Sequence, residues 1–467
     1  MSLVARSTLH LRALLPSTSP RTTRTTRTAR TLKILFAAGV ATLLACTDRV
    51  TDPTSAVRLP SSVSADRSFP TGLASVGWQE QGQALVASHP ATMSPINAVR
   101  AYALLGVAQY GAVVDADNQV DADGLLPSSG FGEGGRSQFE SERGAIAGAS
   151  AQILSYLFPD AAATLEQRLT NEGNAGPGGV HPQFTRGVAI GRAFGDVMIH
   201  WGTTDGFSTP ACLSAPRSAT CIPGAIPVGP GYWTRNPAPP GGALPPIAAP
   251  QFGAIRPYFL TSGAQFHPSP PPTFGSADFL AALNETITKS TTRTAPQLAD
   301  ARAWNLPQGT ITPLGYWDRL AAQYIAERGF DERAAAHVFA LMNAAAMDAA
   351  IGCWEAKFSY YFIRPSQASA AVALDPIVNG VGIGLPNHPS YPSGHSCVSA
   401  SAGSVIESFF PDHTSTVDAL VAAAGESRII AGIHYPFDIR VGQALGRSVA
   451  GVAIAYDHER GLLAAVR

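Results

Sequence analysis

Apolar side chains recur at every third or fourth position through most of this chain, which is the period of a helix with one buried face. The pattern starts at Pro95, where PINAVRAYALLGVAQYGAVVDA is also rich in alanine, the best helix former. It predicts further helices over 137–157, 183–201, 276–290 and 297–304. A long apolar stretch over 314–362 predicts helix with a break near Gly329. Two more helices are expected over 393–409 and 417–430, and a last one near Gly446. No stretch alternates apolar and polar positions long enough to predict a strand, and no internal repeat is visible. The expected fold class is all-α, with helices packed as bundles in one domain over 78–467 and its core at about 310–460.

The helical period lapses between 203 and 272. The runs PGYWTRNPAPPGGALPP and HPSPPPTFG hold too many prolines for helix or central strand, because each proline fixes φ and removes a donor. An elaborated loop draped over the core is expected there. Residues 47–77, rich in Ser, Thr and Pro, read as a flexible tether.

Composition narrows the class. The 467 residues are 45% hydrophobic and 14% charged, with a formal net charge of −1. That allows a large core and leaves no electrostatic footprint for nucleic acid. At the N-terminus, the basic run RTTRTTRTARTLK precedes an apolar stretch over 34–45. The stretch is shorter than the ~20 residues a membrane span needs, and residues 1–46 read as an export signal. The part before Leu32 is long for the basic head of such a signal. The segment ends in LLAC, so Cys46 looks like the acylated cysteine of a bacterial lipoprotein; an ordinary signal peptide with an incidental cysteine is the alternative. The apolar run VGQALGRSVAGVAIAY contains Arg447 and reads as a buried helix. An exported protein is expected, periplasmic or lipid-anchored to the bacterial envelope, touching membrane only through that anchor.

In an oxidising compartment, Cys212 and Cys221 flank the short loop ACLSAPRSATC and suggest a local disulfide. Cys353 and Cys397 would form a second disulfide or remain two buried thiols; spacing leaves both open. No cysteine spacing suggests zinc.

The chemistry is concentrated in the last quarter. KFSYYFIRP places Lys357 and Arg364 seven apart, on nearly one face of a helix, with Pro365 ending it. Two cations among YYFI need an anionic partner. In PSGH, Ser393 can cap a helix, and Gly394 lets an anion approach the free N–H groups. His395, in the first turn, feels the positive end of the helix dipole and should be neutral. In SRIIAGIHYPFD, Arg428 closes one helix and Pro436 opens the next. Asp438 then lies one turn from His434 and can accept its N–H, leaving the other ring nitrogen as a better nucleophile.

The ordered set K-x6-RP, PSGH and SR-x5-H-x3-D resembles the vanadium-dependent haloperoxidase and type 2 phosphatidic acid phosphatase superfamily over 352–446. Upstream, IRPYFLTSGAQFHPSPPP is similar to bacterial haloperoxidase-like proteins. The resemblance implies that Lys357, Arg364, Ser393, Gly394 and Arg428 hold the oxygens of phosphate or vanadate. It implies that His434 attacks phosphorus or ligates vanadium, oriented by Asp438, with His395 as acid–base. His388, seven residues before His395, would line the halide side, as in a bromoperoxidase. The expected activity is therefore vanadate-dependent oxidation of halide, chiefly bromide, by peroxide. The alternative is an exported acid phosphatase needing no cofactor and hydrolysing phosphomonoesters at the same site. A non-catalytic binding module is a third reading, against which the intact residue set argues. Partners are small molecules, and the sequence leaves the oligomeric state open.

Overall fold

The structure is a computed structural model that describes residues 72–122, 133–175, 181–208, 226–238 and 241–466. The export signal with Cys46, the tether up to 71, and the Cys212/Cys221 pair lie outside the described residues.

The first group of helices is α1 (Ala74–Ser88), α2 (Pro95–Ala122), α3 (Glu133–Leu157), α4 (Ala162–Gly173) and α5 (Pro182–Thr203). The second is α6 (Ala277–Thr292), α7 (Ala295–Ala303), α8 (Thr312–Arg328), α9 (Glu332–Tyr360), α10 (Gly394–Phe409), α11 (Thr414–Ile430) and α12 (Pro436–Arg460). No strand longer than an isolated bridge occurs among the described residues, so the fold is all-α.

α9 organises the rest. A helix that is apolar on every face has no side for water and must be surrounded. Alanines dominate it, its most apolar stretch is 89% buried inside the protein, and α2, α8, α10 and α12 pack around it. By length and hydropathy it could cross a membrane, but here it is a core helix. Asp331 caps its start, its side chain accepting from the Ala334 N–H at 2.8 Å. The preceding helix ends as the break near Gly329 anticipates, with Gly329 left-handed at φ 64°.

α3 and α5 pack backbone to backbone. A Cβ on Gly187 would lie 2.1 Å from the Ser141 carbonyl oxygen, and one on Gly191 2.0 Å from that of Ala145. Their four-residue spacing puts both on one face, so the contact depends on their lacking side chains.

Two helices escape the sequence pattern. α1 begins at Ala74, inside the stretch read as tether, and buries Trp78, Gln79 and Gln83. Its first turn is held by Glu332 of α9, whose carboxylate accepts from the N–H groups of Ala74 and Ser75. α4 is short and largely polar, with Leu165 and Leu169 as its buried pair. The proline-rich region does run over the core as irregular chain. Asp348 of α9 anchors it by accepting the N–H groups of Tyr258, Phe259 and Leu260 at 2.8, 2.7 and 3.1 Å. That anchor lies on the helix that carries Lys357, so it ties loop and site to one support.

Candidate active site

Lys357 sits in the last turn of α9 and is completely buried. The helix ends at Tyr360 because Tyr361 turns left-handed at φ 48°. Lys357 and Arg364 therefore do not share a helix face, contrary to the reading from their spacing. Arg364 instead follows a short extended piece, in which Phe362 bridges Tyr232 and its carbonyl accepts the Ser390 N–H at 2.9 Å. Both cations still reach one place. The Lys357 ammonium donates to the carbonyls of Pro389 (2.9 Å), Ser390 (2.8 Å) and Pro392. The Arg364 guanidinium donates to the carbonyls of His388 (3.0 Å) and Ile433 (2.7 Å).

The segment they gather leads into α10. Ser393 caps that helix as the sequence predicts, its hydroxyl accepting from the Ser396 N–H at 3.4 Å. Gly394 is its first residue; a Cβ there would meet the Trp354 ring at 3.1 Å. His395 donates from Nε2 toward the carbonyls of Trp304 (3.1 Å) and Asn305 (3.3 Å), which leaves Nδ1 as the acceptor. Burial, and then the neighbouring Arg428, pull its pKa down to about 3, so the ring is neutral. That agrees with the expectation, although burial rather than the helix dipole is the main cause.

Arg428 closes α11 and is fully buried, donating to Ser427 Oγ at 2.9 Å, Asn305 Oδ1 at 3.2 Å and the Ala301 carbonyl. Four residues before Asp438, His434 donates from Nδ1 to its Oδ2 at 2.7 Å, a carboxylate oxygen that also accepts from Ser390 Oγ (2.6 Å) and the Tyr435 N–H (3.1 Å). This hydrogen bond fixes the tautomer. The His434 Nε2 lone pair then faces Arg364 Nη1 at 3.2 Å. Burial and the cations around it hold His434 well below its ordinary pKa, again as neutral imidazole.

The charge balance indicates what the site can hold. Lys357, Arg364 and Arg428 are all buried, and burial above all pushes them down to about 8, 10 and 9, with the Arg364 charge adding to the effect on Lys357. Among the described residues, Asp438 is the one carboxylate that acts on Lys357 and Arg364, and none acts on Arg428. Three cations against one carboxylate leave an excess of two positive charges in a dry site. Such an excess suits a multiply charged oxyanion. Vanadate and phosphate both fit this donor set, with the His434 Nε2 lone pair on the same side as the Arg364 guanidinium.

A cavity of about 320 Å³ opens from this place, with His388, Gly394, His395 and His434 at its inner end. His388 lies against Trp354 with ring centres 5.1 Å apart, and Arg364 Nη2 is 3.1 Å from its Nδ1. All eight predicted site residues, and His388 with them, are thus brought together. Sequence reasoning missed Ser390, Trp354 and Asn305. Ser390 stands inside the NHPSYPSGH run and Trp354 one turn before Lys357, so both could have been suspected. Asn305 comes from a distant loop with no local signal. Cys353 and Cys397 are free buried thiols, so the disulfide alternative for this pair is not realised.

Residues 334–462, which contain all three motifs, match the sequence profile of the PAP2 superfamily. That segment belongs to the PAP2 superfamily. The fold extends the likeness beyond the PAP2 segment. A bacterial vanadium-dependent iodoperoxidase superposes with a TM-score of 0.64 at 22% identity, covering 83% of this chain and 98% of that one. A holo bacterial vanadium-dependent chloroperoxidase superposes at 0.62 and 15% identity, covering 81% and 94%. At these identities the likeness shows the fold. No curated protein sequence is similar enough to match.

Proposed function

We propose that this PAP2-superfamily protein is a vanadate-dependent haloperoxidase that uses peroxide to oxidise halide, chiefly bromide. The observation that carries the reading is the buried excess of two positive charges facing a neutral histidine whose tautomer a carboxylate fixes. Two features favour the peroxidase over a phosphatase. The fold corresponds along nearly the whole length of a vanadium iodoperoxidase and a vanadium chloroperoxidase. Among the described residues, the cavity above the anion site also has no charged side chain to receive a polar phosphoester.

In this reading Lys357, Arg364 and Arg428, with the Ser393 hydroxyl and the Gly394 N–H, hold the oxygens of vanadate, and His434 Nε2 supplies the protein ligand. Bound vanadate supplies the activation of peroxide toward halide. The protein's own residues handle orientation and protons. Asp438 keeps the His434 proton on Nδ1, so Nε2 stays a donor of electrons. His395 accepts a proton at Nδ1 while its Nε2–H stays on the Trp304 and Asn305 carbonyls. His388 stands at the cavity side, where a halide would arrive. The net conversion is halide plus hydrogen peroxide plus a proton to hypohalous acid plus water.

The second reading is an exported acid phosphatase. The same cations hold phosphate, His434 attacks it, and His395 would protonate the leaving group. Either reading suits an exported protein, periplasmic or lipid-anchored through Cys46. The purified protein, incubated with orthovanadate, peroxide and bromide, is expected to oxidise bromide only when vanadate is present. Release of phosphate from a phosphomonoester without vanadate, inhibited by vanadate and with no bromide oxidation, would overturn the peroxidase reading in favour of the phosphatase.

A further inference from the structure

The outer part of the cavity is built unlike the inner part. Its walls include Ile96, Val99, Pro313, Ile383 and Leu385, and no Lys, Arg, Asp or Glu lines it among the described residues. Trp354 forms a further wall, and its indole N–H is tied to the Ala248 carbonyl at 2.9 Å, so the ring is held in place. The volume, about 320 Å³, lies near the lower end of the ~300–1,000 Å³ range of small-molecule sites.

A hairpin borders this space. Val378 and Val381 exchange both backbone hydrogen bonds, at 2.8 and 3.0 Å, across a two-residue Asn379–Gly380 turn with both φ angles positive. Its base is fixed: Asp375 pairs with Arg302 through two bonds of 2.8 and 2.9 Å, and the Asp375 carbonyl accepts the N–H groups of Ile383 and Gly384. Its flanks are not buried. Ile377, Val378 and Val381 are 62%, 60% and 56% exposed, and Ile377 also lines the cavity. Branched apolar side chains left in water on a firmly anchored turn, beside an apolar cavity, are in place to cover an apolar guest.

We propose that this cavity is an acceptor site for an uncharged, largely apolar organic molecule the size of one or two rings, covered by the Ile377–Val381 hairpin. The proposal rests on the haloperoxidase reading and names its organic substrate. Hypohalous acid formed at the inner end meets the acceptor before it meets bulk water. A carbon of the acceptor attacks the halogen, the halogen–oxygen bond breaks, and the displaced hydroxide takes the proton lost from that carbon, giving a halogenated product and water. A cationic acceptor would find no countercharge on these walls and would lose its hydration.

The test separates binding from turnover. Vanadate-free protein is titrated calorimetrically with 2-naphthol and with trimethyl(2-naphthyl)ammonium, which carries the same rings and a fixed charge. Saturable binding of 2-naphthol, and none of the ammonium, is expected. Ile377→Asp changes an exposed side chain, so folding is preserved; it should weaken 2-naphthol binding by about tenfold or more. Ile377→Leu should bind as the parent does. With vanadate, Ile377→Asp should brominate less 2-naphthol for each bromide oxidised, in competition with an excess of a soluble scavenger. Absence of saturable binding, or equal binding by Ile377→Asp, overturns the proposal. So does partition onto phosphatidylcholine–phosphatidylglycerol vesicles that Ile377→Asp abolishes while 2-naphthol binding is unchanged. Variant-sensitive 2-naphthol binding without any vanadate-dependent bromide oxidation keeps the cavity assignment and overturns the peroxidase reading beneath it.

Discussion

Replacing Lys357 by methionine separates the two tasks the structure gives this ammonium, holding a loop and holding an anion. Burial takes its pKa from 10.5 to about 8, so keeping it charged in the anion-free protein costs roughly 3 kcal/mol at 1.36 kcal/mol per unit. Methionine removes that cost. It also removes one donor from three carbonyls, but Pro389 O still accepts from Arg364 and Pro392 O from the Cys353 thiol. The Ser390 carbonyl is left without its donor, a loss of about 1–3 kcal/mol. The two effects oppose each other. Lys357→Met should therefore unfold in urea within about 2 kcal/mol of the parent when no anion is present. Anion binding is where the loss should appear: a desolvated charge-assisted contact is worth about 2–5 kcal/mol, or at least tens-fold in affinity.

The pH dependence gives an independent reading. In the anion-free protein the folded pKa of Lys357 lies below its unfolded value. Its destabilising contribution is therefore fully present below about 8 and is relieved as pH rises from there toward 10.5. A bound anion raises that pKa. The lysine's contribution to anion affinity is then complete below about 8 and is lost above it, by up to about tenfold per pH unit. Calorimetric titration with molybdate, which stays a dianion over this range, should show the slope between about 8 and 9 in the parent and none there in Lys357→Met, because the remaining cations Arg428 and Arg364 lie at about 9 and 10. Undiminished affinity in the variant, an identical slope, or a loss of more than about 5 kcal/mol without anion would refute the reasoning.

Four further outcomes follow from the same geometry. His434→Ala should lose vanadate binding measured by equilibrium dialysis, whereas His395→Ala should retain vanadate and lose turnover; equal retention by both would reverse the assignment. Burial raises Asp438 to about 6, so activity should fall through that value on acidification as the carboxylate protonates. Asp438→Asn should lower kcat by about 10²–10⁴-fold at neutral pH, as the fixed tautomer is lost. Gly446→Ala would place a Cβ 2.3 Å from the Cys397 carbonyl oxygen, where α12 crosses α10; a loss of about 2–3 kcal/mol in urea denaturation is expected.

Much of the fold was readable because most helices bury one apolar face and announce it by period. α1 and α4 were not, for a physical reason: α1 buries glutamines and α4 just two leucines, so neither displays an apolar stripe. The hairpin at Asn379–Gly380 escaped because its strands are two residues of backbone pairing rather than an alternating run. In the site, the residue types and their order were legible, as was the Asp438–His434 pairing, which depends on one turn of helix. The geometry linking Lys357 to Arg364 was misread, since no glycine or proline marks the left-handed Tyr361 that ends α9.

By itself the sequence determined an all-helical chain carrying three cations, two histidines and a carboxylate in an ordered set, because helical period and local spacing are properties of neighbours along the chain. Tertiary structure decided that those cations are buried with a single carboxylate among them. It decided that Asn305 and Ser390 complete their hydrogen bonds, that Cys353 and Cys397 stay thiols, and that an uncharged cavity opens onto the histidines. Each of these depends on segments far apart in sequence meeting in a space from which water is excluded, and burial is what converts a list of polar residues into a site that demands an anion.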